Sequence, residues 1–370
     1  MSEPAHRQTP PLTFIVGSAR CGSTMLSLIL HEHPEVLSLS EFLTAMKSVR
    51  HSQEFPAGDM DGRQFWDMLS AQSPLPASLA RDADRIRALQ APGPRYVAGT
   101  GRFGHSAGVP LIAKRVLPML TSDPDTLFDQ LAAQVPRWPL RPAADQYLAL
   151  FGLLAGLLGR RVVIERSGGS LRLVRLLHEQ FPAARFVHLY RDGPDCALSM
   201  SRHITSRRAE LTAEAARLAG LPPTAGWDQV QQALPSLPPE FSDLLGWPFD
   251  LDKLMAYPIP LRVFGQRWSR VVCDGLAALR ELPAALWTSA SYEDLLTRPR
   301  EELARLAAFA GVAAPDGWLA AAQRLAEPGR AGRAGRLSPA DLAELRDACR
   351  PGTEAIAAAG SPQPSETVSR

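Results

Sequence analysis

The stretch Phe14 to Val36, FIVGSARCGSTMLSLILHEHPEV, decides how the rest of the chain is understood. Leu12 to Val16 is a short β-branched and aromatic run ending at Gly17, and Thr24 to His31 carries apolar residues at helical spacing, which predicts strand, loop and helix. Gly17, four intervening residues, Gly22, Ser23 and Thr24 keep the spacing of a phosphate-binding loop, G-x-x-x-x-G-K-[ST], with serine where the lysine stands. A loop between a strand's carboxyl end and a helix's amino end presents unpaired N–H groups and the positive end of the helix dipole, so it suits phosphate-like anions. In nucleotide hydrolases the lysine neutralises the terminal phosphates while Ser/Thr and a strand-end aspartate hold magnesium. Ser23 supplies no charge. The replacement cation is Arg20, whose planar fork can grip one anionic group bidentately without a metal.

Working outward, two more such units follow. RVVIE, Arg161 to Glu165, precedes RSGGS and the amphipathic LRLVRLLHEQF; ARFVHLY, Ala184 to Tyr190, precedes RDGPDCALSMSRH. A later strand candidate is Ala285 to Ser291, before YEDLL and a helix over Pro299 to Gly311. Neither of the first two strands ends in an aspartate; they lead instead to Arg166 and Arg191. Nearly all-apolar strands alternating with helices predict an α/β, P-loop-like three-layer fold: a central, mostly parallel sheet with right-handed crossovers and helices on both faces. Residues 51–142 and 205–260 are loop-rich and Pro-rich, and we expect both to be insertions on one domain spanning 12–360, because neither has enough periodic apolar sequence for a core of its own. Residues 1–11 and 361–370 are expected to be disordered.

The bulk numbers narrow the functional classes. A chain of 370 residues that is 45% hydrophobic can bury a sizeable core. Its formal charge of +2, from 40 basic and 38 acidic side chains, provides no global field for nucleic acid or anionic membrane, so an anion must be held locally. The four cysteines, Cys21, Cys196, Cys273 and Cys349, form no C-x-x-C pair, which argues against a disulfide framework or structural zinc and for a reducing compartment. The longest apolar run, Tyr147 to Leu158, is shorter than the roughly 20 residues that span a bilayer, and the N-terminus has no signal-peptide core. The expectation is a cytoplasmic protein without stable membrane insertion. Abundant Arg, Ala and Pro point to a GC-rich, bacterial genome.

With these residues in place, the sequence resembles the PAPS-dependent sulfotransferases, where PAPS is 3'-phosphoadenylyl sulfate, in particular the branch of bacterial small-molecule enzymes and tyrosylprotein sulfotransferases. SARCGSTMLSLILHEHPEV resembles that family's 5'-phosphosulfate loop, RFVHLYRDGPDCALSMSRH its 3'-phosphate motif, and VVIERSGGS its Glu-Lys-Ser/Thr-Pro segment. YEDLLTRPREELARLAAFAG is similar to its late strand and helix, and GRAGRLSPADLAELRDACRPGTEAIAAAG to its C-terminal Arg/Gly loop and closing helix. The resemblance implies that Arg20, Cys21, Gly22, Ser23 and Thr24 hold the 5'-phosphosulfate. Arg191 and Ser199, helped by Arg202, would hold the 3'-phosphate, and Tyr292 and the Arg330 to Arg336 loop, with Arg333 at its centre, would close over the nucleotide. Glu41 would be the general base, and Arg166 stands where the family has a lysine that stabilises the transition state. Gly168 in place of proline and Leu337 in place of tryptophan are further departures.

Each assignment has a plainer competitor. Glu41 alone is a solvated or capping residue following an apolar helix, Arg166 an ion-pair partner, and Ser199 a small packing residue. Cys21 is a small filler or, at a helix N-terminus, a reactive thiol. His31 and His33 belong to a helix end before proline and are assigned no chemistry. The implied activity is metal-independent in-line transfer of the sulfuryl group of PAPS to a hydroxyl of a small molecule, with no nucleic-acid partner. The aromatic and Pro-rich 205–260 segment would cover an apolar acceptor, or either insertion would form a homodimer contact. Two alternatives stay open: a P-loop kinase, which needs magnesium, and a non-catalytic PAP- or nucleotide-binding protein.

Overall fold

The computed structural model describes residues 10–45, 55, 56, 58–73, 85, 86, 94–96, 101–103, 108–222, 225–325 and 331–359. The 361–370 tail, residues 1–9 of the N-terminus and Arg330 therefore lie outside the described residues. The strands of the main sheet are β1 (Leu12–Val16), β2 (Val36–Ser40), β3 (Val162–Arg166), β4 (Arg185–Tyr190) and β5 (Trp287–Ser291). The helices include α1 (Ser23–His31), α2 (Phe42–Ala45), α3 (Ala143–Leu157), α4 (Val174–Gln180), α5 (Gly193–Ser201), α6 (Ile204–Leu218), α7 (Leu261–Arg280), α8 (Pro299–Ala310) and α9 (Pro339–Ala359).

The strand order is β2-β3-β1-β4-β5, and every neighbouring pair is parallel. All residues of β1, β2, β3 and β5 are buried. A sheet buried in this way on both faces is covered by helices above and below, the expected α/β architecture. The single main core includes Phe14, Leu26, Phe151, Phe186 and Trp268, and each fully buried side chain of this size contributes about 1.5–3 kcal/mol relative to exposure.

Two expectations need correcting. The first is β2, a strand that the sequence pattern does not announce, so that Glu41 follows a strand and not an apolar helix. VLSLS alternates leucine with serine, yet all five residues are buried because the serines find partners across the fold. Ser38 Oγ–H donates to the Ser27 carbonyl at 2.9 Å, and Ser40 Oγ accepts from Arg166. The second concerns the 205–260 insertion, which does close a core of its own. Ile204, Leu211, Val230, Phe241, Leu244 and Leu254 belong to a buried cluster separate from the main one, contributed by α6 and the short helices Trp227–Ala233, Glu240–Leu245 and Leu251–Ala256. Proline-rich turns between short helices hide the periodicity from a sequence window, but the helices still pool their apolar faces.

Parallel strands place all their carboxyl ends on one edge, and the order reverses about β1, which sits between β3 and β4. Ligands of open α/β sheets bind at that edge and reversal. Gly17 follows β1, Glu41 follows β2, Arg166 ends β3, Arg191 follows β4 and Tyr292 follows β5, so each strand delivers one residue to the same edge of the sheet.

Candidate active site

The loop after β1 is held in an unusual backbone conformation. Ala19 and Arg20 have φ of 70° and 57°, and Gly22 has φ of 90°, left-handed positions that side-chain-bearing residues adopt at a cost. Gly22 begins α1 with no side-chain cap, and the first turn of α1 carries no acidic residue, so the helix N-terminus keeps its donors and positive potential for something else. Gly22 is required for a second reason: a Cβ on it would lie 2.1 Å from Cδ2 of Tyr292. That ring is buried and the Arg191 guanidinium stacks over it, 4.7 Å from its centroid. One tyrosine thus links the β1 loop to the arginine after β4.

Arg20 Nε–H donates to Ser199 Oγ on α5 at 3.0 Å. Two residues assigned from the resemblance to opposite ends of one nucleotide are therefore in direct contact. Burial lowers the Arg20 pKa from its ordinary value, and the nearby Arg191 charge adds to the lowering; arginine remains protonated through any such shift. The Cys21 side chain is buried, and its Sγ would be 2.4 Å from a Cβ on Gly17. Burial raises the thiol's pKa, so the reactive-thiol alternative falls and Cys21 can offer an anion only its backbone N–H.

Arg191 is anchored by a residue that sequence reasoning missed. Buried Asp195 accepts from Arg191 Nη2 at 2.9 Å, and also from the amides of Gly332 and Ala334, each at 2.7 Å. Burial by itself would lower the Arg191 pKa, but the hydrogen bond to Asp195 and the charge of that carboxylate outweigh it and raise it. Through one carboxylate the arginine after β4 and the C-terminal Arg/Gly turn are fixed to each other. Beside them Arg202, Arg333, Arg336, Leu198 and Leu337 line a cavity of about 350 Å³. Arg202 and Arg333 are thus brought together, and Leu337 occupies the wall where the resembled family has tryptophan.

At the other side of the loop, β2 and β3 end together, with Ser40 and Arg166 in register. Arg166 Nη1–H donates to Glu41 Oε1, Arg166 Nη2–H to Ser40 Oγ at 2.5 Å, and the Glu41 amide to the Arg166 carbonyl at 2.7 Å. Glu41 sits at φ 61°, a strained position that persists because these bonds over-determine it. The plainer reading of Arg166 as an ion-pair partner is correct as geometry, but its partner is the candidate base. Behind the pair, Glu165 is fully buried, and burial pushes its carboxyl up to about 7.

His33 is structural: Nδ1 accepts the Glu35 amide at 3.1 Å, so Nε2 carries the proton and donates to the Ala313 carbonyl at 2.8 Å. Phe241 and Phe249 are buried in the insertion's own core, which removes them from the expected acceptor cover, while Trp247 is 58% exposed. Among the described residues no helix is long and apolar enough to cross a membrane.

A sequence model of the sulfotransferase family matches residues 11–240. The sulfotransferase domain of the Synechococcus PCC 7002 olefin synthase aligns over 94% of this chain and 96% of its own at 18% identity and a TM-score of 0.43. The sulfotransferase domain from the curacin biosynthetic pathway aligns over 91% and 96% at 15% identity and 0.43. A sulfotransferase from Alicyclobacillus acidocaldarius aligns over 94% and 94% at 15% identity and 0.37. No curated protein sequence matches significantly. Because the family match takes in more than half of the chain, from the strand ahead of the β1 loop into the helical insertion, the chain belongs to the sulfotransferase family and is a sulfotransferase.

Proposed function

We propose that the chain transfers the sulfuryl group of PAPS to a hydroxyl of a small-molecule acceptor, without a metal and with Glu41 as general base. The observation that carries the proposal is the pairing of Glu41 with Arg166 at the ends of adjacent strands, beside an uncapped helix N-terminus and within the same edge as Arg191.

The residues fit the donor. The left-handed β1 loop, the uncapped α1 and Arg20 would take the 5'-phosphosulfate through the amides of Cys21, Gly22, Ser23 and Thr24. Arg191, Ser199, Arg202 and Arg333 would take the 3'-phosphate, with Tyr292 as the platform between the two groups. When bound, PAPS supplies an activated sulfuryl group on a phosphate that leaves with added negative charge. Arg20 and Arg166 are the cations that would offset that charge from fixed positions, the arrangement that stabilises a loose in-line transition state. Glu41 Oε would take the acceptor's hydroxyl proton. Arg166 orients this carboxylate without exhausting it, since an ionised carboxyl accepts about four hydrogen bonds.

A positioned base contributes about 10²- to 10⁴-fold. Glu41→Ala is expected to lose about that factor in kcat while calorimetric affinity for PAP stays at the wild-type level. An alanine variant with full turnover would remove Glu41 from the mechanism. Turnover is further expected to persist in excess EDTA, the condition in which a magnesium-dependent kinase would stop.

A further inference from the structure

Glu165 is a carboxyl placed where the sheet should want an apolar side chain. It lies on β3 between the partners Phe14 on β1 and Leu39 on β2 and is fully buried. Its Oε1 accepts from Ser167 Oγ–H at 2.5 Å and from the Leu43 amide at 3.4 Å, while its Oε2 has no hydrogen-bond partner among the described residues. The Leu43 amide also donates to Ser167 Oγ at 3.0 Å, so its proton is shared between the two side chains. A half-satisfied buried carboxyl is a poor stabiliser, and apolar replacements of such groups are often neutral or better. Stability alone therefore gives little reason for a glutamate here.

What Glu165 and Ser167 touch supplies the reason. Leu43 lies in the first turn of α2 (Phe42–Ala45), directly after Glu41, and a first-turn amide has no acceptor within its own helix. By accepting it, the two side chains fix where α2 starts, and with it the left-handed turn at Glu41. Arg166, next to Glu165 on β3, acts on the same point from the other side. Arg166 holds the Glu41 carboxylate, and the Arg166 carbonyl holds the Glu41 amide.

We propose that Glu165, with Ser167, is a positioning residue for the base: through the Leu43 amide it sets the aim of Glu41 against Arg166 and touches neither donor nor acceptor. The proposal rests on Glu41 being the base. Misplacing a reacting group by about 1 Å can cost on the order of a hundredfold in rate.

The test measures kcat, KM for PAPS and calorimetric PAP affinity for Glu165→Ala, Ser167→Ala, Glu165→Gln, Glu41→Ala and the Glu41→Ala/Glu165→Ala double variant. Ser167→Ala and Glu165→Ala are expected to lower kcat by about tenfold or more while KM and PAP affinity stay within about threefold. Glu165→Gln, the isostere of the protonated acid, keeps the acceptor oxygen and is expected to recover most of the turnover lost in the alanine variant. In the Glu41→Ala background, Glu165→Ala should slow the enzyme no further, because the two act as one unit. Ser167→Ala keeps the measurement available if Glu165→Ala does not fold. A slow Glu41→Ala variant beside full turnover in Ser167→Ala and Glu165→Ala would overturn the positioning role and leave the base assignment standing. Equal losses in kcat and PAP affinity, failure of Glu165→Gln to recover turnover, or a further slowing in the double variant would also overturn it. A fully active Glu41→Ala variant would overturn the base and the positioning role together.

Discussion

At the scale of single residues, the site is organised by side chains that each join two segments. Tyr292 packs against Gly22 and under Arg191, and Asp195 joins Arg191 to the amides of Gly332 and Ala334. Gly22→Ala would put a methyl group into the tyrosine ring at φ 90°, so a stability loss greater than about 1 kcal/mol is expected together with weaker PAP binding; thermal unfolding and calorimetry on the same sample measure both. Arg191→Ala should weaken PAP binding by about 10- to 100-fold, the worth of one or two charge-assisted bonds. Asp195→Asn should weaken it too, although the asparagine need not touch the nucleotide, because the arginine and the Arg/Gly turn lose their common anchor; unchanged affinity in either variant would contradict the assignment. Arg166 and Arg191 could be picked out in the sequence because each stands at a strand's end, and Arg20 because it lies between Gly17 and Gly22 of the phosphate-loop spacing. Asp195 could not, since the amides that define its role are 137 and 139 residues away. The partnership of Glu41 with Arg166 likewise depends on β2 and β3 being neighbours, which no local window contains.

At the scale of elements, β1, β3, β4 and β5 were legible because β-branched and aromatic runs between glycines, prolines and helical periodicity have few alternatives. β2 was not, because its serines look solvent-facing until Ser27 and Arg166 are placed opposite them. The 204–254 helices show the same limit from the other direction. Their apolar residues are too interrupted to announce a core, but together they bury Phe241, Leu244, Leu245 and Leu254. Phe241 is 2% exposed, so Phe241→Ala is expected to cost about 3–5 kcal/mol. Because its cluster is separate from the main one, hydrogen exchange should accelerate first in residues 204–256 while β1, β3 and β4 stay protected. Uniform acceleration across sheet and insertion would mean that the two cores unfold as one.

At the scale of the whole molecule, the buried titratable groups set how stability follows pH. Burial lowers His188 and His203 to about 4 from the ordinary 6.5; between those values the unfolded chain binds more protons, so folding weakens as pH falls from 6.5 toward 4. Glu165 acts oppositely: with its carboxyl raised from 4.5 to about 7, the folded chain binds more protons in that window, and its contribution is lost as pH rises through it. In that window each histidine works against Glu165, so Glu165→Gln should make stability fall more steeply with acid than in the wild-type chain, as denaturant titrations across this range would show; a slope unchanged by the substitution would contradict the raised carboxyl of buried Glu165. Sulfuryl transfer itself is read by incubating the protein with labelled PAPS and an extract of its own host in excess EDTA, followed by mass spectrometry for a gained sulfonate. A labelled hydroxyl product is expected from the wild-type chain and almost none from Glu41→Ala at equal PAP occupancy. No transfer by the wild-type chain, or equal transfer by the alanine variant, would contradict it.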